Sequence, residues 1–338
     1  MGGGPSSQRT LAPGGTSRTS GNLATVTVPT SVISLPSVET EEVISVDGLR
    51  KTYGSTVAVG DVSFTVARGE IFGLLGPNGA GKTTTVECLQ GLRRADGGRI
   101  RVLGLDPISQ ARDLRRRIGC QLQESALPAR IRVREALDLF ASLAPRPVDW
   151  RVLMEQWGLA EKEHAAFSSL SGGQRQRLFV ALALVNDPEV VFLDEMTTGL
   201  DPAARRVAWD LIRAIREGGA AVVLVTHFMD EAERLCDRLG VVDRGRLVAL
   251  DTPQGLVNAY APEVKVVFHT DAAELPRFED LPCVRRVSRL GRRVEVEGID
   301  PVLALVAASL VERGITPRDL RVEQPTLEDV FLKLTAGE

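Results

Sequence analysis

The chain has 338 residues, enough for a packed α/β core and for more than one domain. Its 41 basic and 44 acidic residues leave a formal charge of −3, which argues against a dominant nucleic-acid surface. Four cysteines, at 88, 120, 236 and 283, have no short spacing and no adjacent histidine. That pattern excludes a disulfide framework and a Cys/His metal site, and it suits small core residues in a reducing cytosol. No apolar run approaches the roughly 20 residues needed to cross a bilayer, and no signal-type segment opens the chain. A soluble or peripheral protein is therefore expected.

Residues 1–41 are rich in Gly, Ser, Thr and Pro and lack aromatics, which predicts a disordered tail. Strand-like runs over 43–101, such as Asp61-Val62-Ser63-Phe64-Thr65-Val66, predict an antiparallel layer. Residues 66–75 read as a buried strand, apolar at Ile71, Phe72, Leu74 and Leu75. It feeds Gly76-Pro77-Asn78-Gly79-Ala80-Gly81-Lys82-Thr83, a complete G-x-x-x-x-G-K-[ST] loop, and then a helix-compatible segment over 82–90. Glycine has no Cβ, so this backbone can turn sharply and bring N–H groups against phosphate oxygens. The following helix adds unpaired donors and the positive end of its dipole. Lys82 is placed to bridge the β- and γ-phosphates of a nucleotide, and the Thr83 hydroxyl to ligate Mg2+.

Residues 109–170 read as mainly helical, with helical apolar spacing over 133–143 and 150–157. Trp150, Met154 and Trp157 are expected in the core of that unit. The arginines of 112–117 predict a solvated helix face. Leu170-Ser171-Gly172-Gly173-Gln174 opens a helix to about residue 186. Read locally, Ser171 is an N-cap and the glycines a flexible lead-in; alternatively the stretch is a second anion cradle. Val190-Val191-Phe192-Leu193 is a buried strand that delivers Asp194 and Glu195 to its carboxyl end, where open α/β sheets bind ligands. There Asp194 can hold Mg2+ and Glu195 can polarise an attacking water; the competing reading is a pair of solvated or helix-capping acids.

A helix is expected over 202–217 and another buried strand over 221–226, ending at His227, a position where a structural histidine is the plain alternative. Residues 238–250 read as a strand pair turning at Asp243-Arg244-Gly245. After Pro253 a small α+β domain follows, with strands in 264–268 and 284–296, a helix over 303–311, and no catalytic cluster. Strands separated by helices make a parallel sheet the default for the centre of the chain.

In this order the phosphate loop, the Leu170–Gln174 stretch and the Asp-Glu strand end resemble the ATP-binding subunits of ABC transporters, over about residues 43–255. The ending Pro325-Thr326-Leu327-Glu328-Asp329-Val330-Phe331-Leu332 is similar to that of type-2 exporter ATPases, including the daunorubicin-resistance type. The resemblance implies an α/β fold: a P-loop NTPase core with a parallel sheet, an antiparallel β subdomain and a helical subdomain at about 109–170. With a small C-terminal α+β domain, the implied division is 1–41, 42–255 and 256–338.

The resemblance also implies roles. Tyr53 stacks on adenine, while Gly76, Pro77, Asn78, Gly79, Ala80, Gly81, Lys82, Thr83 and Thr84 hold the phosphates. Thr83, Asp194 and Gln123 attend Mg2+, although Gln121 competes for the last role. Glu195 is the general base, helped by His227 and Gln123. Ser171, Gly172, Gly173 and Gln174 form the signature that faces the γ-phosphate on a second subunit, and Gly199-Leu200-Asp201 centres the D-loop. Met196 stands where the family usually has proline.

ATP and Mg2+ are the implied cofactors. One copy of each motif implies a homodimer with two sites. A separate integral-membrane permease is the implied partner, with the chain peripheral on the cytoplasmic face of a bacterial-type membrane and export as the direction. Two alternatives are a soluble ABC ATPase, in iron–sulfur assembly or nucleic-acid or ribosome remodelling, and a regulatory binder. Intact Glu195 and His227 weigh against the binder, and the absence of long coiled-coil insertions or tandem cassettes weighs against remodelling of nucleic acid or ribosomes.

Overall fold

The computed structural model describes Met1, residues 41–121 and residues 126–335. The expected tail, apart from its two ends, and Gln123 lie outside the described residues.

Two long strands, β1 (Glu42–Tyr53) and β2 (Thr56–Ala67), form a hairpin closed at Gly54, whose φ of 59° favours glycine. The expected strand over 66–75 is divided. Gly69, at φ 68°, turns the chain between β2 and β3 (Ile71–Leu75). The buried Glu70 carboxylate holds the turn by accepting from the Ala67 N–H at 2.7 Å and from Arg238 at 3.2 Å. A buried acid needs such partners, and the turn over Arg68, Gly69 and Glu70 divides the stretch read as one strand.

The chain continues through α1 (Lys82–Leu89), β4 (Gly97–Val102), α2 (Ala111–Leu114), β5 (Ile118–Gln121), α3 (Val133–Leu143), α4 (Trp150–Gln156), α5 (Gly172–Leu184), β6 (Val190–Asp194), α6 (Pro202–Glu217), β7 (Ala221–Thr226), α7 (Met229–Leu235), β8 (Arg238–Asp243) and β9 (Arg246–Asp251). Nine strands make one sheet in the order β4-β1-β2-β9-β8-β3-β7-β6-β5. From β8 to β5 the pairings are parallel, while β4-β1-β2 is antiparallel.

The central strands are buried on both faces, and their side chains alternate between two cores. Ile71 and Leu75 join Val191, Leu193, Val222 and Leu224 under the helices α5, α6 and α7. Phe72 and Leu74 join Val190, Phe192, Val223 and Val225 on the other face, with α1, β1 and β2. This two-sided burial explains why β3, β6 and β7 read as continuous apolar runs.

The stretch expected to be mainly helical also contains β5, which extends the parallel sheet beyond β6. The arginine-rich segment is one short turn of helix. Arg112, Arg115 and Arg116 are exposed, but Arg117 turns inward to pair with both oxygens of Glu189 at 2.6 and 2.9 Å. Trp150, Met154 and Trp157 are buried among α3, α4 and α5.

Beyond α8 (Pro253–Tyr260), the strands β10 (Val264–His269), β11 (Val284–Leu290), β12 (Arg293–Gly298) and β13 (Arg318–Glu323) form an antiparallel sheet ordered β11-β12-β10-β13. Helix α9 (Val302–Glu312) closes its core through Val302, Val306 and Leu310. The final helix, α10 (Leu327–Thr335), leaves that core: Leu327 and Val330 pack with Leu256 and Val257 of α8 in the larger unit. Sequence reading misses α8, which contains a mid-helix glycine, and β13, Arg-Asp-Leu-Arg-Val-Glu, whose charges mask its strand character.

Gly119 in β5 approaches α5 so closely that a Cβ would sit 2.2 Å from the Ala183 carbonyl oxygen. Gly119→Ala is expected to destabilise the protein by about 1–3 kcal/mol, read as a lowered midpoint in urea unfolding. An unchanged midpoint would contradict this packing.

Candidate functional site

The parallel strands β3, β6 and β7 end side by side, and each end carries polar groups. Leu75 at the end of β3 leads into the phosphate loop, Asp194 ends β6, and Thr226 ends β7 just before His227. Their placement follows from register: Leu75 is opposite Thr226, and Asp194 is opposite Val225.

The loop between β3 and α1 is held by its neighbours. At Gly76 a Cβ would lie 2.2 Å from the Val242 carbonyl oxygen, and at Gly81, with φ 102°, 2.3 Å from that of Ala58. Neither position can carry a side chain without displacement of backbone. The β8–β9 turn, with Arg244 at φ 45° and Gly245 at φ 76°, braces the loop from below: the Gly245 N–H donates to the Ala80 carbonyl at 2.9 Å. No side chain caps α1, so the amides of its first turn meet the cavity that this loop encloses.

That cavity has a volume of about 290 Å³ and is lined by Ala58, Asn78, Gly79, Gly81, Lys82, Thr83, Thr84 and Glu195. Lys82 is buried, and its ammonium donates to the carbonyls of Gly76 and Pro77 at 2.8 and 3.0 Å. Burial lowers its pKa, and the nearby Glu195 and Asp194 oppose that shift. Asp194 is buried in turn. Its carboxyl is pushed up to about 6 by burial, against the Thr83 side chain, which draws it down. One of its oxygens, Oδ1, is buried without a hydrogen-bond partner. A hydroxyl beside an under-satisfied buried carboxylate is a hard-oxygen donor set that fits Mg2+.

Glu195 follows in the left-handed region at φ 50°, an unusual conformation for a residue with a side chain. Its N–H donates to the Val225 carbonyl at 2.9 Å, which ties the strained residue to β7. Its Oε1 lies 3.3 Å from Nδ1 of His227. Met196 is fully buried in the core beneath, so an apolar side chain anchors the place where proline is usual in the resembled family.

The structure brings together Lys82, Thr83, Asp194, Glu195 and His227. Of these Lys82, Thr83 and Glu195 line the cavity, together with Asn78, Gly79, Gly81 and Thr84, while Asp194 and His227 stand just behind the lining. The remaining residues singled out by sequence beyond the phosphate loop lie apart from it. Ser171 accepts from the Gln174 N–H at 3.3 Å while Gln174 Oε1 accepts from the Ser171 N–H at 3.0 Å, a capping box that opens α5. Asp201 caps α6 by accepting from the N–H groups of Ala203 and Ala204. Tyr53 is exposed at the β1–β2 turn, with Lys51 and Arg93 at 5.4 and 5.7 Å from its ring centre. Gln121 is buried at the end of β5. Ala58, which lines the cavity, bears no chemistry that sequence reading could single out.

A larger groove of about 650 Å³ lies elsewhere, between β5 and the helices α3 and α5, and its walls include Leu127, Phe140, Leu143 and Phe179. Its walls are mainly apolar, with Arg115 and Arg116 at its margin, and it lacks the glycine-rich loop and carboxylates of the smaller cavity.

Because its pKa is raised, ionised Asp194 opposes folding. The penalty is absent below about pH 4, grows as pH rises to about 6, and is complete above that. Asp194→Asn is therefore expected to stabilise the nucleotide-free protein at pH 8 by on the order of 2 kcal/mol, with the gain fading towards pH 4. Thermal unfolding across that range checks it, and a less stable variant at pH 8 would contradict the burial argument.

Comparisons with known proteins agree with this geometry. The profile of the family described as ABC transporter matches residues 59–198. The daunorubicin resistance ATP-binding protein DrrA2 of Streptomyces coeruleorubidus is 39% identical over 306 residues, covering 86% of this chain and 94% of its own. The Nod factor export ATP-binding protein I of Ralstonia nicotianae is 40% identical over 313 residues, covering 90% and 97%. Among solved structures, one described as the ATP-binding subunit of an ABC transporter superposes with a TM-score of 0.60 at 26% identity, over 64% of this chain and 93% of that one.

Proposed function

This chain belongs to the ATP-binding subunits of ABC transporters, and from that premise we propose that it hydrolyses ATP to power export through a separate membrane protein. The observation that carries the reading is one small cavity lined by a phosphate loop and Glu195, with the buried Asp194 carboxylate beside Thr83 and with His227 paired to Glu195. The relatives named above are themselves described as export or drug-resistance ATP-binding proteins. Neither of them favours a soluble role in iron–sulfur assembly or in remodelling nucleic acid or ribosomes.

In this reading the phosphates of ATP lie against the amides of 76–84, and Lys82 exchanges its carbonyl partners for phosphate oxygens. Thr83 and Asp194 hold Mg2+, which neutralises charge on the phosphates when bound. Glu195 polarises the attacking water, and His227, paired to it at 3.3 Å, fixes its orientation. The strained backbone at Glu195 aims the carboxylate into the cavity without a search over conformers. Gln123 is assigned beside the Mg2+ position, and Tyr53 is assigned to the adenine.

The cavity of one chain has no donor on the side away from the loop supplied by Ser171, Gly172, Gly173 or Gln174. We assign these residues, with Asp201, to the site of a second copy, which makes a closed dimer with two sites. ATP then stabilises closure, and its hydrolysis removes that preference. The largely apolar groove beside β5 is assigned to the docking of a membrane subunit, and the chain is assigned to the cytoplasmic face of the membrane from its family. No helix among the described residues is long and apolar enough to cross a membrane itself.

Glu195→Gln is expected to lower the rate of ATP hydrolysis by about 100-fold or more while ATP binding is retained. Steady-state turnover and equilibrium nucleotide binding measure the two separately. Normal turnover in that variant would overturn the assignment of the base. Lys82→Ala is expected to weaken nucleotide binding itself, and unchanged affinity would remove the phosphate loop from the site.

A further inference from the structure

Glu231, in the first turn of α7, is a carboxylate with no exposed surface and no ion pair of close contact. The Trp209 indole N–H of α6 donates to its Oε1 at 3.0 Å. The Thr226 and Thr197 side chains flank the carboxylate, and Arg205 attracts it from farther off. Its Oε2 and the Thr197 hydroxyl are both buried without a hydrogen bond of good geometry. Burial raises its pKa, opposed by these neighbours.

Such a group is a poor device for stability. Burying a carboxylate is costly, and the one well-formed hydrogen bond it receives, from Trp209, offsets only part of that cost. What distinguishes the position is what it touches. Thr197 lies two residues beyond Glu195 and is itself fully buried, and its carbonyl accepts from the Leu200 N–H at 3.2 Å. Thr226 precedes His227, and its hydroxyl accepts from the Phe228 N–H at 3.0 Å, shaping the turn that presents the histidine. Trp209 belongs to the helix that Asp201 caps. The segments that follow Glu195 and precede His227 therefore meet helix α6 at one carboxylate.

We propose that Glu231 is a positioning residue of the hydrolytic site, which fixes the segment after Glu195 against the segment carrying His227. The inference rests on the assignment of Glu195 and His227 to the attacking water. Glu231 touches no nucleotide in this account; it holds the 3.3 Å Glu195–His227 pair in register from beneath.

The test compares the unaltered protein with Glu231→Gln and Glu231→Met in ATP turnover, KM for ATP, nucleotide binding and thermal unfolding. Expected is a fall in kcat of about tenfold or more in both variants, with KM and binding within about twofold. Glu231→Met also removes the acceptor of the Trp209 indole N–H and is expected to unfold at a lower temperature, so kcat is taken per folded molecule. A purely structural role predicts lowered stability with full kcat per folded molecule. Full kcat in either folded variant would overturn the inference, as would a loss no larger than the unfolded fraction. Failure of the underlying reading has a separate mark, since the unaltered protein would then lack turnover or Glu195→Gln would retain it.

Discussion

Everything at this site depends on charges held out of water at the ends of a parallel sheet. Lys82 and Asp194 are both buried, on adjoining elements, and neither is satisfied by a direct mutual ion pair. The lysine leans on two backbone carbonyls, and the aspartate leaves one oxygen unbonded. An arrangement of that kind is costly alone and becomes favourable when a polyanion and a divalent cation enter together. In the proposed function, that apparent defect is what favours a metal-bound triphosphate.

The fold supplies this pocket through register rather than through loops of special composition. Because β3, β6 and β7 pair in parallel, their carboxyl ends fall on one edge, and alternation buries every other side chain on both faces. The only places for polar groups are the ends. The β8–β9 turn then presses on the phosphate loop from outside, so that an element carrying no chemistry sets the loop's shape. The strain at Glu195 is sustained by the same packing, with Met196 sunk in the core on one side and the Val225 carbonyl on the other.

Much of this was legible in the chain itself because the relevant signals are local. A phosphate loop is contiguous, and two of its glycines, Gly76 and Gly81, stand where backbone carbonyls approach too closely for a Cβ. The apolar runs ending at Asp194 and His227 announce their own direction. What could not be read was long-range. Glu70, at the turn that divides residues 66–75, is held by partners as distant in sequence as Arg238. Gly245 reaches the phosphate loop only through the sheet, and α10 leaves the small C-terminal core to pack on α8. Nothing in the sequence marks Glu231, an acid in the first turn of α7, and only its burial reveals it. Ser171 is the instructive case: its capping box satisfies the local reading completely, and its assignment to a neighbouring copy's nucleotide rests on the family and on its absence from this chain's cavity lining.

The central claim is that each site is completed by a second copy of the chain. Two variants, Lys82→Ala and Ser171→Arg, test it when assayed alone and after mixing under conditions that let dimers exchange. Each alone should be nearly inactive. The mixture should recover about a quarter of the unaltered ATPase rate, because half of the dimers are mixed and each retains one intact site of two. No recovery on mixing, or full activity of Ser171→Arg alone, would contradict a site shared between copies.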